Sequence, residues 1–147
     1  MTNPLIWVLH GPNLNRLGLR EPALYGSTRL TELNETLVTL GGKEGARVVA
    51  HQSNHEGELI DLVHRAPEAS VGGFLINPAA FTHTSVALRD ALLSVSLPFF
   101  EVHLTNIYRR EPFRHHSYFS DLAQGVICGL GPEGYEAGLL ALIRHLK

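Results

Sequence analysis

Lysine is nearly missing from this chain: among 147 residues only Lys43 and Lys147 carry an ammonium group. Lys43 belongs to a Gly-Gly-Lys helix exit far from the polar strand ends described below, and Lys147 is the last residue. A Schiff-base mechanism therefore has no nucleophile, and any proton abstraction beside a carbonyl must use another base. Cysteine occurs once, as Cys128. That excludes an internal disulfide, makes the cytoplasm the default compartment, and in an apolar strand reads as an inert core thiol. There is no basic run, and the net charge is −2, which argues against a nucleic-acid partner. No apolar stretch reaches the roughly 18 residues a membrane span needs. The opening MTNPLIWVLH has no basic region, long apolar core and cleavage site, so no secretion signal is expected. A GxSxG elbow and a Walker lysine are also missing. Without linker, repeat or low-complexity segment, residues 1–147 read as one domain of ordinary composition, 44% hydrophobic and 18% charged.

What is present alternates in type. Leu5–His10, Arg47–His51, Val71–Ile76, Pro98–Leu104 and Gly125–Cys128 read as short strands. Between them lie helical patterns: Leu30, Leu33, Leu37 and Leu40, stopped by Gly41-Gly42; then Leu59, Ile60, Leu62 and Val63 after a Ser53…Glu56 capping box; then Thr84–Leu93. Pro132 opens a last helix bearing Tyr135, Leu139, Leu142, Ile143 and Leu146 on one side. Five strands alternating with helices predict an α/β, doubly wound, flavodoxin-like parallel sheet of order 2-1-3-4-5. Such sheets bind ligands beyond the carboxyl ends of their strands. Polar clusters fall at those ends: Asn13, Ser53-Asn54-His55, Asn77, and His103 with Thr105.

The first strand leads into a sixteen-residue loop, GPNLNRLGLREPALYG, Gly11 to Gly26. Loops of that length in a compact domain are uncommon and usually functional. This one holds Arg20 five residues before Tyr25, and a nearby cation favours the tyrosinate. We read Tyr25 as a base kept ionised by Arg20. Lowering a phenol by ~2–3 pKa units takes roughly 3–4 kcal/mol, which requires the loop to close and exclude water. Glu101 and His103, two apart on a strand, share a face; the carboxylate raises and orients the imidazole, giving a general acid. His83 and Asp90, seven apart, read as one helix face, and Arg114 as a carboxylate clamp. Gly129–Gly134 satisfies GxGxxG, but thirteen residues follow it, too few for a second strand and a ribose-binding acid, so it reads as a tight turn. His51 and His55 end a strand rather than lie on one helix, and the nine histidines lack carboxylate clusters, so no metal site is expected. A non-catalytic flavin or nucleotide module would want a Ser/Thr-rich phosphate loop where Gly-Pro-Asn-Leu-Asn-Arg stands, and a phospho-acceptor domain would want an aspartate ending a central strand.

Four blocks in order, GPNLNRLGLREPALYG, HQSNHEGELID, INPAAFTHTSVALRDAL and EVHLTNIYRREPFRHHS, resemble the type II 3-dehydroquinate dehydratases along essentially the whole chain. The resemblance implies a flavodoxin-like catalytic domain that reversibly dehydrates 3-dehydroquinate to 3-dehydroshikimate, a lyase of aromatic biosynthesis or quinate breakdown. No metal or cofactor is implied, and the assembly would be a homododecamer of four trimers. Tyr25 would abstract the proton and Arg20 would support it. Asn13 would hold a water against the enolate oxygen. His103 would protonate the departing hydroxyl, oriented by Glu101. Asn77, His83 and Asp90 would contact substrate hydroxyls, the aspartate from a neighbouring subunit. Leu104 and Thr105 would grip the carboxylate, with Arg114 at the hydroxyl end of the ring instead of the clamp position read above. Thr105 stands where the family often has serine, Phe81 where it has tyrosine and Ala79 where it has glycine.

Overall fold

In the computed structural model, which describes residues 3–19 and 21–147 with Tyr25 by its backbone alone, strand β1 (Leu5–His10) is buried along its whole length. A strand without a polar face belongs mid-sheet between two covering layers, and its alternation divides the core in two. Ile6 and Val8 pack with Leu75 and Val102 on one side; Leu5, Trp7 and Leu9 pack with Phe74, Ile76 and Phe99 on the other. Flanking β1 are β2 (Arg47–Gln52) and β3 (Val71–Asn77), followed outward by β4 (Phe99–His103) and β5 (Gly125–Cys128). The order is β2-β1-β3-β4-β5, as the alternation predicts, and every pair is parallel.

The helices are α1 (Pro22–Tyr25), α2 (Leu30–Lys43), α3 (Glu56–Arg65), α4 (Val86–Val95) and α5 (Pro132–Leu146). Leu33 and Leu37 of α2 and Leu139, Leu142 and Ile143 of α5 cover the first face. Leu59 and Val63 of α3 and Leu88, Ala91 and Leu92 of α4 cover the second. Gly129 and Gly131 turn the chain from β5 straight into α5, so the GxGxxG segment is the turn it reads as. Among the described residues, no helix is long and apolar enough to cross a membrane.

Three local expectations are corrected. Gly41-Gly42 does not stop α2, which runs on to Lys43. A Cβ on Gly41 would lie 2.4 Å from Val48 Cγ2, so this glycine lets the helix approach β2. The capping box does not form either. His55 is the N-cap of α3, and Ser53 Oγ instead accepts from His55 N at 2.9 Å and donates to Glu58 Oε1 at 3.0 Å. Glu56 accepts a hydrogen bond from Ser85 Oγ and so ties α3 to α4. Ser85 also caps α4, accepting from Leu88 N at 2.9 Å, so that helix starts at Val86 rather than Thr84.

The strand order reverses between β1 and β3, and their carboxyl ends are pressed together there. Gly11 N donates to Asn77 O at 2.8 Å, and a Cβ on Gly11 would sit 2.3 Å from Pro78 O. The obstacle is backbone, so it has no rotamer with which to yield. Gly11→Ala is expected to lower unfolding stability by about 1–3 kcal/mol, read as a lower urea midpoint at unchanged m-value.

Candidate active site

A cleft opens at this switch point, where doubly wound sheets bind their ligands. From β1 come Pro12, Asn13 and Leu14, and from β3 come Asn77, Ala79, Ala80 and His83. Strand β4 and the loop after it add His103, Leu104, Thr105, Ile107, Arg110 and Arg114. Seven residues singled out in the sequence (Asn13, Asn77, His83, His103, Leu104, Thr105 and Arg114) thus line one cleft.

Glu101 stands directly behind His103. It is fully buried, and a buried carboxylate is tolerable only when its oxygens are met by donors. Three donors meet it. His103 Nε2 lies 2.5 Å from Oε2, Ser117 Oγ donates to the same oxygen at 3.0 Å, and Ser120 Oγ donates to Oε1 at 2.7 Å. Burial alone would push the carboxyl up, but these bonds and the imidazole's charge outweigh it and hold Glu101 below its ordinary range. Glu101 is therefore an anion, His103 Nε2 is committed to it, and Nδ1 is the nitrogen left for a ligand. Ser117 is itself held by backbone, accepting from Phe119 N and Ser120 N at 3.0 and 3.2 Å.

The other walls are built from amides. Asn13 adopts a left-handed backbone, φ 71°, which asparagine tolerates better than most residues. Its N–H donates to Asn54 Oδ1 at 2.9 Å, and Gln52 Nε2 donates to that same oxygen and to Gly11 O, both at 3.1 Å. The polar cluster after β2 thus braces the Asn13 turn from behind, while Ser53 and His55 stay out of the cleft. Asn77 Oδ1 accepts from Ala79 N at 3.0 Å, holding the β3 exit in a tight turn. Ala79 sits at φ 53°, which costs a non-glycine residue roughly 1–2 kcal/mol. His83 Nδ1 donates to His116 O at 2.8 Å. Burial, with the charges of His103 and Arg114, keeps its imidazole below the usual range despite that bond, so Nε2 is an acceptor.

Other sequence expectations fare differently. His83 ends a separate 3-10 turn, Ala79–His83, before the Ser85 cap, so it shares no helix face with Asp90, which is exposed on α4 and lines no part of the cleft. Arg114 does line it, with Nε donating to Glu111 Oε1 at 3.0 Å. Arg20 and the Tyr25 side chain lie outside the described residues; Leu24 and Gly26, the chain neighbours of Tyr25, line an adjoining cleft that shares Leu104, Thr105 and Arg110 with the first. Sequence reasoning missed Arg110, whose Nη1 lies 3.5 Å from Thr105 Oγ1, and it missed Ser117, Ser120 and Tyr135. The Arg109-Arg110 pair was a signal, but a loop of 3-10 turns has no periodicity to say which arginine faces in. Among the described residues, no group of three His, Cys, Asp or Glu side chains is arranged to hold a metal ion.

A doubly wound sheet with a carboxylate-backed imidazole, amides and guanidiniums around its switch-point cleft defines an acid–base enzyme for a small polar molecule. The chain matches the family model described as Dehydroquinase class II over residues 4–143. It is 60% identical over 141 residues to a 3-dehydroquinate dehydratase of Cellvibrio japonicus, covering 96% of this chain and 95% of that protein. It is 59% identical over 140 residues to 3-dehydroquinate dehydratase 1 of Pseudomonas aeruginosa, covering 95% of each. The crystal structure of a type II dehydroquinase from Propionibacterium acnes superposes with a TM-score of 0.92 at 41% identity, covering 97% of this chain and 98% of that one. This chain belongs to the class II dehydroquinases.

One buried base beneath the cleft makes folding pH-dependent. Burial lowers the His10 pKa from 6.5 to about 4, against the opposing bond from Asn34. Between those values the unfolded chain binds a proton that the folded chain does not, so stability falls as pH drops from 6.5 and levels off below about 4. The full loss is about 3 kcal/mol. In His10→Gln, urea unfolding between pH 6.5 and 4.5 should give a shallower slope. It does not vanish, because His51 and His83 are also held low by burial.

Proposed function

We infer that this chain is a hydro-lyase that reversibly converts 3-dehydroquinate to 3-dehydroshikimate through an enolate. The observation that carries this reading is the Glu101–His103 pair, 2.5 Å apart and buried at the cleft wall, in a chain so similar to named dehydratases. A proton beside a ketone is weakly acidic, so its removal must be matched by stabilisation of the oxygen that receives the electron pair. Tyr25 takes the proton as its phenolate, with Arg20 favouring the charged form. A water held by Asn13 donates to the enolate oxygen. The electrons then return, the C–O bond of the hydroxyl breaks, and His103 Nδ1 gives it a proton so that water leaves. Ionised Glu101, accepting at Nε2, stabilises the imidazolium needed for that transfer and restrains the ring.

Leu104 and Thr105 grip the substrate carboxylate, and Asn77, His83 and Arg114 meet its hydroxyls. That Thr105 keeps the hydroxyl of the family's serine supports the carboxylate assignment. Asp90, exposed on α4 and absent from its own cleft, fits a role in the cleft of a neighbouring copy within a dodecamer of four trimers. The single catalytic domain serves the shikimate pathway, in the cytoplasm.

The direct test is an ultraviolet assay for the conjugated product from 3-dehydroquinate, with and without EDTA; absence of product in both would overturn the reading. Tyr25→Phe should lower kcat by about 10³-fold or more with the fold intact, and near-native turnover would exclude Tyr25 as base. His103→Ala should cost about 10²–10⁴-fold in kcat, whereas a normal kcat would remove it from the elimination step.

A further inference from the structure

The deepest polar groups under the cleft are ones the elimination does not use. His10 and Tyr135 are fully buried and Asn77 nearly so, and they form a single file of hydrogen bonds whose direction can be fixed atom by atom. Ala79 N is a donor only, so the Asn77 atom it meets at 3.0 Å is the carbonyl Oδ1. The other arm of that amide, Nδ2, must then be the donor to Tyr135 Oη at 2.9 Å. Tyr135 has its own proton to place, and its remaining neighbour is His10 Nδ1 at 3.0 Å. His10 is neutral near pH 7, burial holding it down to about 4, so Nδ1 accepts. The ring hydrogen is then on Nε2, which donates to Asn34 Oδ1 at 2.8 Å. The opposite order fails: a proton on His10 Nδ1 would leave the tyrosine hydrogen facing only the Asn77 N–H donor.

We propose that Tyr135 and His10 are positioning residues that, together with the Ala79 N–H, hold Asn77 in the one polarity its ligand contact needs. The amide is gripped from both sides, Ala79 N on Oδ1 and Tyr135 Oη on Nδ2, and its second Nδ2–H is the donor left for a ligand oxygen in the cleft that Asn77 lines. The device reaches across the layer on this side of the sheet. Asn34 stands on α2, Tyr135 in the first turn of α5, His10 on β1 and Asn77 on β3. If Tyr135 loses its acceptor at His10, its proton and the Ala79 N–H compete for the one oxygen of Asn77, and the amide is no longer held in a single orientation. The proposal rests on the reading that Asn77 meets a substrate hydroxyl, whose oxygen accepts from that N–H.

The experiment is a double-mutant cycle on the full-length enzyme, reading kcat and KM for 3-dehydroquinate, with thermal midpoints recorded for every variant. Tyr135→Phe should raise KM about tenfold while kcat changes less than about threefold, and in an Asn77→Ala background the same substitution should change KM by less than about twofold. An equal KM effect of Tyr135→Phe in both backgrounds would mark a merely structural role and overturn the proposal. Should Tyr135→Phe not fold, two substitutions at His10 decide the matter. His10→Leu removes the acceptor and should reproduce the KM rise. His10→Gln supplies an amide oxygen for the tyrosine proton and should stay within about threefold of native; equal KM values in the two would overturn the proposal. If Asn77→Ala leaves KM and kcat at native values, the hydroxyl-contact reading falls and takes the proposal with it. If Asn77→Ala raises KM and Tyr135→Phe does not, the proposal alone falls.

Discussion

A carboxylate removed from water at the end of β4 is the constraint around which this site is arranged. Glu101 has no exposed surface, and an anion there would be untenable without donors on both oxygens. The segment after the His115-His116 pair folds back to supply them through Ser117 and Ser120, and His103 supplies the third. The same bonds that make the charge affordable also define the chemistry. They use up one nitrogen of His103, restrain its ring, and leave the other nitrogen as the only one that can exchange a proton with a ligand.

The second constraint is the crowding where the strand order reverses. Gly11 and Pro78 approach so closely that no side chain fits between them, and the two strand ends are bonded through Gly11 N and Asn77 O. Asn13 and Asn77, sixty-four positions apart in sequence, are thereby fixed relative to each other by backbone rather than by side-chain preference. Ala79 holds a left-handed conformation in the same turn. A glycine would hold that conformation without strain; here the Asn77 side chain clamps the Ala79 N–H.

Core and site are also continuous. On the face covered by α2 and α5, apolar packing of Ile6, Val8, Leu75 and Leu139 gives way at the strand ends to the His10–Tyr135–Asn77 file. On the opposite face, the Phe99 and Phe119 layer gives way to Glu101 and its serines. His10, Asn77 and Glu101 each lie two residues beyond an apolar one on the same strand face, Val8, Leu75 and Phe99 in turn. The helices that bury the core therefore also shield the charges and amides from water.

The short apolar runs of β1, β3 and β4, the helical spacing of the leucines and the proline-opened α5 were legible in the amino-acid sequence, because such runs and spacings are local properties of the chain. So were the two-residue spacing that pairs Glu101 with His103 and the strand-end addresses of Asn13, Asn77 and Thr105. Tertiary structure decided what depends on distant partners. It turned Gly41 from a helix stop into a contact with Val48, redirected Glu56 from a capping box to Ser85, and separated His83 from Asp90 with a 3-10 turn and a new cap. Which arginine of the Arg109-Arg110 pair faces in, and the roles of Ser117 and Ser120, could not be read beforehand because irregular loops carry no period, and their orientation is set by the buried charge and cleft they meet. Tyr135 was legible as a core position but not as a polar one. Only the packing of α5 across β1 and β3 brings its hydroxyl between His10 and Asn77, since a hydrogen bond over such sequence separation exists only once the chain has closed around it.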